Sequence, residues 1–583
     1  MIEEELDKKA KKKKNPVYEF FNLLSPDKKD IIYMLTYTVF NGLVNLILPL
    51  GIQAIIGLIM GGAALSSSWV ILVIVVTLGV MFSGSMQIMQ LFVAEVIQQR
   101  IFTRASFSFS WRIPKFKTEG LQDLYPPELM NRFFDTMTIQ KGLSKLLIDF
   151  ASAIIQIIFG LLLLAAYHPV FIAFSLLLIV MLYVIFKFTG AKGLNTSIKE
   201  STYKYQLVYW LEEMARTMDT FKIIGKSKLP FKRTDSLVVN YLGARKKHFN
   251  ILVYQYGSII LFKTIITAGL LIVGSLLVIE QEINLGQFVA AEIIILIIIT
   301  SVEKLLLSIE TIYDVLTATD KLGVVTDVDI EDNREGNDAN ELFGDEKAIS
   351  VILKNITYKG LHGRKLLKDI DLEIAKGERV CVTGYNGSGK GILTNLFSGM
   401  LEEFEGELSY NGYPFGNFQL ESLRSNIGDV LPYEDVFDGT VLENIVMGRD
   451  ISMKTVREVV AALGMENFIQ NQKDGLNEPI LAEGKYLSKS VLRKIKIARA
   501  IVCDPKLLVM EEFMHNLQKS ERERLANYLT DKTHPWTLIG VSNDTLFASK
   551  CDRILIMKEG QIIDQGTFAE IKTKPYFDEL FIQ

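Results

Sequence analysis

The sequence predicts a multi-domain protein in which a six-helix, all-α transmembrane domain precedes an α/β domain. Three observations lead to this prediction. The chain has 583 residues, and a typical domain has roughly 150. Hydrophobic residues make up 49% and charged residues 22% of the chain, which is too apolar for a soluble enzyme and too charged for a purely membranous protein. Long apolar runs fill the first part of the chain, whereas short apolar runs alternate with helical patterns in the second.

Charge and cysteine content exclude several classes of protein. The 63 Lys and Arg residues nearly balance the 67 Asp and Glu residues, so nucleic acid is not expected as a partner. The chain has 3 cysteines, Cys381, Cys503 and Cys551, and their spacing matches neither a disulfide framework nor a zinc site. All of them lie in the second part, which therefore fits a reducing compartment.

Six apolar segments are long enough to cross a bilayer core, which takes roughly 20 helical residues. They are residues 31–60, 69–93, 147–167, 169–189, 253–279 and 285–307. Short connections with little charge join them in pairs, as expected for turns outside the cell. The two long connections, residues 99–145 and 188–247, are rich in Lys and Arg, as are residues 8–14. The positive-inside bias therefore places these parts, and the second half of the chain, in the cytoplasm.

The long inner connections also carry helical periodicity, over residues 129–146 and 207–224. The membrane helices are therefore expected to extend into the cytoplasm, although amphipathic surface helices would give the same pattern. A cleavable signal peptide is not expected, because the first apolar run is too long and starts after residue 30.

Composition changes sharply at residues 326–346, where Asp, Glu, Asn and Gly replace the apolar runs and predict a solvated acidic linker. The predicted domains are a basic N-terminus with an elbow helix (1–30), the transmembrane domain (31–325), the linker (326–346) and the α/β domain (347–583). In the α/β domain, strand-like runs alternate with helical stretches, which predicts a largely parallel sheet. These runs are residues 372–374, 379–382, 507–510, 537–541 and 553–557.

A glycine-rich loop follows the strand predicted at residues 379–383. Its residues are Gly384, Tyr385, Asn386, Gly387, Ser388, Gly389 and Lys390, and a helix is expected from about Gly391. This is the arrangement of a P-loop, in which backbone N–H groups and the lysine bind phosphates. All of these residues except Tyr385 are candidate nucleotide ligands, with ATP as the cofactor. Gly391 stands where a P-loop has Ser or Thr, and the missing hydroxyl argues against regular Mg²⁺ binding.

Six spans followed by a P-loop domain resemble an ABC exporter half-transporter over essentially the whole chain. Further stretches are similar to the motifs of that family's nucleotide-binding domain: residues 424–444 to the Q-loop region, 487–500 to the signature helix, 507–512 to the Walker B strand and 552–566 to the closing strands. Residues 128–135 and 311–328 are most similar to type I secretion and bacteriocin exporters, without their peptidase-like domain. The resemblance implies a dimer in the bacterial inner membrane that hydrolyses ATP.

The catalytic positions implied by this resemblance depart from the family pattern. Glu512 is in the place of the general base. Glu511 is in the place of the metal-contacting aspartate and is the candidate metal residue, but it is one methylene longer and is expected to misplace the water-mediated metal contact. Pro432 replaces the glutamine that senses the metal and water, and Asn543 replaces the switch histidine. The D-loop aspartate is Gln518.

Two further binding positions are altered. The signature Leu-Ser-Gly-Gly-Gln reads Leu-Ser-Lys-Ser-Val at residues 487–491. Ser488 is retained as a candidate phosphate contact to the partner subunit's nucleotide, but Lys489 and Ser490 replace glycines that allow close approach. Tyr358 is the candidate for adenine stacking, although it lies two positions early and Gly360 takes its slot.

These features support two hypotheses. The first is an exporter subunit for a peptide, protein or hydrophobic compound that binds ATP and has impaired or absent hydrolysis; the alternative is a pseudo-ATPase scaffold or regulatory subunit of a membrane secretion complex. A diverged but active enzyme stays open, because Lys390 and Glu512 are retained. Expected partners are a second half-transporter, identical or different, and membrane lipids, with a periplasmic adaptor left open. Lys263 and Glu292 lie within spans and either line a translocation path or extend towards an interface.

Overall fold

The computed structural model describes residues 15–62, 66–118, 125–331, 336–360, 363–433 and 435–581. It divides into two compact units, Met1–Ile330 and Glu331–Gln583. The predicted basic segment at residues 8–14 and residues 332–335 of the predicted linker lie outside the described residues.

The first unit is all-α. Its helices are α1 (Pro16–Leu24), α2 (Lys28–Asn45), α3 (Ile47–Met60), α4 (Ser67–Arg112), α5 (Pro126–Asn131), α6 (Asp135–Lys145), α7 (Ala151–Tyr167), α8 (Val170–Arg216), α9 (Met218–Ile224), α10 (Leu229–Ile279) and α11 (Leu285–Thr326). In the described part of the chain, 6 helical segments are long and apolar enough to cross a membrane. The predicted six spans are confirmed.

Several of these helices are far longer than a bilayer requires. Helices α4, α8 and α10 have 46, 47 and 51 residues, and roughly 20 would suffice to cross the hydrocarbon core. The excess lies towards the long charged connections, as their helical periodicity predicts. The turn between α10 and α11 ends in a capping box, in which the Asn284 side chain accepts from the Gln287 N–H at 2.8 Å.

One helical segment is interrupted by a wide turn. Between α6 and α7, residues Leu146–Phe150 form a π-helix, in which hydrogen bonds run from i to i+5. After this turn, α7 presents a buried face to α11 that includes Ala153 and Gly160. A Cβ on Gly160 would lie 2.8 Å from Cγ1 of Ile298, so this close approach of the two helices requires glycine.

Polar side chains join neighbouring helices inside the apolar bundle. The hydroxyl oxygen of Ser83 on α4 lies 2.6 and 2.8 Å from the Oδ1 atoms of Asn41 and Asn45 on α2, and its one proton is donated to either of them. Lys263 on α10 forms an ion pair with Glu303 on α11, with 2.7 Å between Nζ and Oε1. Both charged side chains are partly exposed, at 47% and 36%. The other ionisable residue singled out from the sequence, Glu292, is half-buried on α11.

The second unit contains two main sheets. Its strands are β1 (Val351–Lys359), β2 (Lys365–Ile374), β3 (Arg379–Gly384), β4 (Glu405–Tyr410), β5 (Tyr413–Pro414), β6 (Ile427–Val430), β7 (Gly439–Thr440), β8 (Pro479–Ile480), β9 (Leu507–Glu511), β10 (Thr537–Val541), β11 (Arg553–Lys558) and β12 (Gln561–Gly566). Six of them form one sheet in the order β12-β11-β3-β10-β9-β6, in which every pair is parallel except β11 with β12. The largely parallel sheet predicted from the sequence is confirmed.

Helices cover this sheet, and an antiparallel sheet packs beside it. The helices are α12 (Ala339–Phe343), α13 (Lys390–Phe397), α14 (Leu420–Ser425), α15 (Val441–Val446), α16 (Met453–Ala462), α17 (Glu466–Asn471), α18 (Lys489–Ile501), α19 (Lys519–Thr530), α20 (Thr545–Ala548), α21 (Phe568–Lys572) and α22 (Phe577–Leu580). The second sheet has the order β2-β1-β4-β5. The run at residues 372–374, predicted as part of the parallel sheet, instead lies in β2 of this sheet and pairs antiparallel with β1. Leu353 of the second sheet shares one apolar core with Val380 and Val382 of β3.

Candidate nucleotide-binding site

The carboxyl ends of four parallel strands bring the candidate residues to one edge of the sheet. In the order β3-β10-β9-β6, these ends are followed by the P-loop, Asn543, Glu512 and Pro432. Ligands of open α/β sheets bind in the crevice at this edge. The structure therefore groups residues that are more than 150 positions apart in the chain.

The P-loop runs from the end of β3 into α13. Gly384 has φ +148°, and a Cβ there would lie 2.1 Å from the carbonyl oxygen of Met557, so the tight pairing of β3 with β11 requires glycine. Gly389 has φ +95° and is the N-cap of α13. Ser388 is buried at 2% exposure, whereas Asn386 and Gly387 form the exposed crest of the loop.

Lys390 folds back over the loop that it ends. Its Nζ donates to the carbonyl oxygens of Gly384 and Tyr385 at 2.6 and 2.8 Å. Burial lowers the pKa of Lys390, and the nearby carboxylate of Glu511 offsets part of that shift. The ammonium is thus held by neutral acceptors that an anionic phosphate could replace.

Gly391 and Glu511 face each other across the site. A Cβ placed on Gly391 would lie 3.0 Å from Oε1 and 3.3 Å from Oε2 of Glu511, which ends β9. The hydroxyl of Thr394, one turn along α13, donates to Oε2 of Glu511 at 2.7 Å. Burial raises the pKa of the Glu511 carboxyl, and the hydrogen bond from Thr394 partly offsets the rise. The sequence reading missed Thr394.

Glu512 occupies a distinctive backbone position. It follows β9, is exposed, and has φ +52°, the left-handed region that few residues other than glycine adopt. Its carbonyl oxygen accepts from the N–H of His515 at 3.2 Å, which closes the turn. The side chain therefore leaves the sheet edge towards solvent.

The positions of the family's glutamine and histidine lie on the same edge. Pro432 is exposed in the turn after β6, and it has neither an amide group nor a backbone N–H to offer. The adjacent Tyr433 donates from its hydroxyl to Oδ1 of Asn395 on α13, at 2.9 Å. Asn543 is half-buried two residues beyond the end of β10.

The signature region has a local structural role in addition to any contact with nucleotide. Ser488 is exposed and is the N-cap of α18, where its Oγ accepts from the N–H of Val491 at 3.3 Å. Lys489 is exposed at the first position of that helix. Gln518 forms a capping box with Glu521 at the start of α19. Both altered motifs thus begin helices.

The structure corrects the expectation for Tyr358. This residue lies on β1 and is only 6% exposed, within the core shared by the two sheets. The preceding residues Ile356 and Thr357 are buried as well, and the pairing of β1 with β2 is irregular between Ile356 and Tyr358. A side chain buried to this extent offers adenine no exposed ring surface for stacking, so Tyr358 is a residue of the domain core.

This chain combines a multi-span membrane unit with a P-loop α/β unit. It is therefore a membrane protein with a nucleotide-binding domain. Residues 31–302 match the family described as the ABC transporter transmembrane region, and residues 367–515 match the family described as ABC transporter. The chain belongs to the ABC transporters, and its transmembrane domain precedes its nucleotide-binding domain. It is a multi-pass membrane protein, and its ABC domain implies ATP binding.

Among curated proteins, the alpha-hemolysin translocation ATP-binding protein HlyB of Escherichia coli O157:H7 is 25% identical over 368 residues, which cover 63% of this chain and 51% of HlyB. The transport/processing ATP-binding protein ComA of Streptococcus pneumoniae is 23% identical over 455 residues, which cover 76% of this chain and 62% of ComA. The chain thus matches only about half to three fifths of the length of these relatives.

Among solved structures, a bacterial Atm1-family ABC exporter with ATP bound has a TM-score of 0.82 and 18% sequence identity. The match covers 94% of this chain and 97% of that one. At this identity the likeness shows the fold alone.

Proposed function

We propose that this chain is a subunit of an exporter in the bacterial inner membrane, with its nucleotide-binding domain in the cytoplasm, and that it binds ATP with impaired or absent hydrolysis. The proposal is supported by the residues found at the edge where the parallel strands have their carboxyl ends. The P-loop fold and Lys390 are in place there, but Gly391, Pro432 and Asn543 lack the groups that the family uses to bind metal and position water.

ATP turnover is expected to be slow because several catalytic groups are replaced at once. Phosphoryl transfer is catalysed by positioning and charge stabilisation, and loss of one such group costs about 10²- to 10⁴-fold in rate. Bound Mg²⁺ would neutralise phosphate charge, and Glu511 is the acidic oxygen donor beside the P-loop that could hold it. Glu512 alone, on an exposed turn, cannot replace a positioned network.

The relatives support the proposed cargo class. Their names describe translocation of a hemolysin and transport with processing, which suits a peptide or protein, and a hydrophobic compound remains the other candidate. Members of the family work as dimers in which each site combines the P-loop of one subunit with the signature of the other. We infer a homodimer or a heterodimer with another half-transporter, with a periplasmic adaptor as a further candidate partner.

A specific observation favours the second candidate, a pseudo-ATPase scaffold or regulatory subunit. The substitutions affect both halves of a composite site, since Lys489 stands exposed in the signature and Gly391 lies beside the P-loop. A regular partner subunit could therefore not form a fully regular site with this chain. In that case ATP binding would adjust assembly or conformation without turnover.

The test is steady-state turnover and nucleotide binding on the purified full-length chain in lipid nanodiscs. We expect ATP binding and little or no vanadate-sensitive hydrolysis. Glu512→Gln should change neither result, and Lys454→Ala, at an exposed residue on α16, serves as a surface control. Vanadate-sensitive turnover that disappears in Glu512→Gln would contradict impaired hydrolysis.

A further inference from the structure

An apolar groove runs along the surface of the membrane unit between α8 and α10. It lies between residues 177–188 of α8 and residues 254–265 of α10, and its volume is about 270 Å³. Ile185 and Phe262 line it and are buried, so they form its floor. Leu261, which also lines it, is 63% exposed and stands at its edge. The groove is therefore open towards the surroundings of the helices.

The length of the groove matches the thickness of one leaflet of a bilayer. Residues 177–188 of an α-helix rise about 18 Å, and half of a hydrocarbon core is about 15 Å. The groove ends at residues 188 and 254, close to the ends of the spans predicted at 169–189 and 253–279. An extended acyl chain could therefore lie along it from the middle of the bilayer to the level of the headgroups.

Polar contacts mark the level at which the two helices leave the apolar region. Directly beyond the groove, Nε2 of Gln255 on α10 donates to Oγ1 of Thr189 on α8 at 2.7 Å. Two turns further, Oγ1 of Thr196 lies 2.9 Å from Nδ1 of His248. The apolar groove is thus followed by a polar layer, as expected where hydrocarbon gives way to headgroups.

Lysines continue the two rows of side chains that line the groove. Lys192 is four residues after Phe188 on α8, and Lys247 is seven residues before Tyr254 on α10. Residues at these spacings share a helix face. Both lysines are exposed, and neither forms an ion pair with another described residue. The groove therefore leads to two positive charges at the level of the headgroups.

The neighbouring charges leave this end of the groove positive. The carboxylate of Glu200 is already paired with Arg245, with 3.1 Å between Oε1 and Nη1. A further lysine, Lys187, lies beside the groove, with its Nζ 5.4 Å from the centre of the Tyr183 ring. Lysines near a membrane surface attract anionic headgroups, and tyrosine is typical of the interface. This charge favours an anionic lipid over a zwitterionic one.

From this arrangement we propose that the groove binds one anionic phospholipid, with an acyl chain between α8 and α10 and its phosphate at Lys192 and Lys247. The length of the groove, its position within two spans and the lysines at its polar end together select this occupant. The lipid belongs to the leaflet on the side of the long charged connections. The inference goes beyond the proposed function and does not depend on ATP binding.

The first test measures lipid binding to the purified full-length chain by native mass spectrometry, with phosphatidylglycerol and phosphatidylcholine of the same acyl chains. Wild type should prefer phosphatidylglycerol by about 30-fold, because each of two lysines contributes a factor of about five. Lys192→Gln/Lys247→Gln should lose this preference and bind both lipids equally. Lys222→Gln/Lys232→Gln removes two exposed lysines of the same connection and should keep the preference of wild type. Equal binding of both lipids by wild type would overturn the inference.

The second test fills the groove without a change of charge. Ser258 lines the groove, and its Oγ donates only within its own helix, to the carbonyl oxygen of Tyr254 at 2.8 Å. Ser258→Phe should therefore remove the bound lipid of either kind. The matched control is Ser275→Phe on the same helix, where an exposed serine donates to the carbonyl oxygen of Leu271 at 2.6 Å. The control should retain the lipid.

A second copy of this chain is the competing occupant, and the same spectra report it. If Ser258→Phe retains the lipid but converts dimers to monomers, the groove is a subunit interface and the lipid inference is overturned. A phosphatidylglycerol preference that survives in Lys192→Gln/Lys247→Gln would overturn the assignment of the phosphate site. Absence of ATP binding in a chain that keeps the lipid preference would overturn the proposed function alone.

Discussion

The ammonium of Lys390 donates a hydrogen bond to the carbonyl oxygen of Gly384, 2.6 Å away, so the residue that ends the P-loop closes onto the residue that begins it. The loop is therefore held in its curved form by contacts within itself. Phosphate oxygens are stronger acceptors for an ammonium than neutral carbonyls are. Nucleotide binding should consequently draw Nζ away from the loop without unfolding it.

Lys390→Met should weaken nucleotide binding by more than tenfold, because it removes the only cationic side chain of the P-loop. A hydrogen bond to a charged group contributes about 1.5–3 kcal/mol to the binding free energy. The measurement is the Kd of a fluorescent ATP analogue for the full-length chain. Lys454→Ala, which removes an exposed lysine from α16, should leave the Kd unchanged. An unchanged Kd in Lys390→Met would show that the lysine stays bound to its own loop.

Gly384→Ala should lower the thermal unfolding midpoint of the chain. An added Cβ would meet the carbonyl oxygen of Met557 at 2.1 Å in a backbone with φ +148°, and strain with overpacking would cost roughly 2–4 kcal/mol. Gly387→Ala is the matched control within the same loop. Its φ is +74° but nothing lies within 4 Å of the added Cβ, so only about 1 kcal/mol of backbone strain is expected. Equal midpoints for the two variants would contradict the close packing at Gly384.

Acidification should destabilise the nucleotide-binding domain through His534. Its ring stacks on Trp536 with 4.3 Å between centroids, and burial lowers the pKa of His534 below its usual value of about 6.5. The folded state therefore binds a proton on His534 less readily than the unfolded state does. The contribution of the neutral ring to folding stability is complete above a pH of about 6.5 and is lost as the pH falls below that value. His534→Phe keeps the stacked ring and cannot titrate. Between pH 7.5 and 5.5 its unfolding midpoint should fall less than that of wild type, and equal falls would exclude His534 as the cause.

Removal of one member of the Lys263–Glu303 ion pair should destabilise the membrane unit more than removal of both. Lys263→Met leaves the carboxylate of Glu303 without the ammonium that lies 2.7 Å away, and a lone charge among apolar spans is costly. Lys263→Met/Glu303→Gln removes that charge. The coupling free energy from the double-mutant cycle should be about 0.5–3 kcal/mol, measured by unfolding in nanodiscs. A coupling of zero would favour a lysine that extends independently towards an interface.

The sequence predicts the spans and the parallel sheet well because both have strong local signals. All five residues of β10, Thr537–Val541, are buried, which makes this strand a continuous apolar run. The strand β2 instead alternates buried and exposed residues over much of Lys365–Ile374. The sequence predicts a strand only over residues 372–374, which does not reveal its antiparallel pairing.

The candidate site is less accessible to sequence reasoning. The contact between Thr394 and Glu511 joins residues 117 positions apart, and neither residue is unusual in its own segment. Only the parallel pairing of the strands brings β9 beside the first turns of α13. The offset of Tyr358 from the aromatic slot is visible in the sequence, but its burial depends on which face of β1 packs into the core shared with the six-stranded sheet.

The π-helical turn at Leu146–Phe150 has a consequence for the whole third span. An i to i+5 turn takes in one residue more than an α-helical turn, so the helix beyond it is out of phase with the helix before it by about 100°. Deletion of a single residue from this turn would restore a continuous α-helix and rotate Gly160 away from Ile298, replacing a glycine contact with bulkier side chains. The number of residues in this turn, and not only their identity, therefore sets which side chains of the third span face α11.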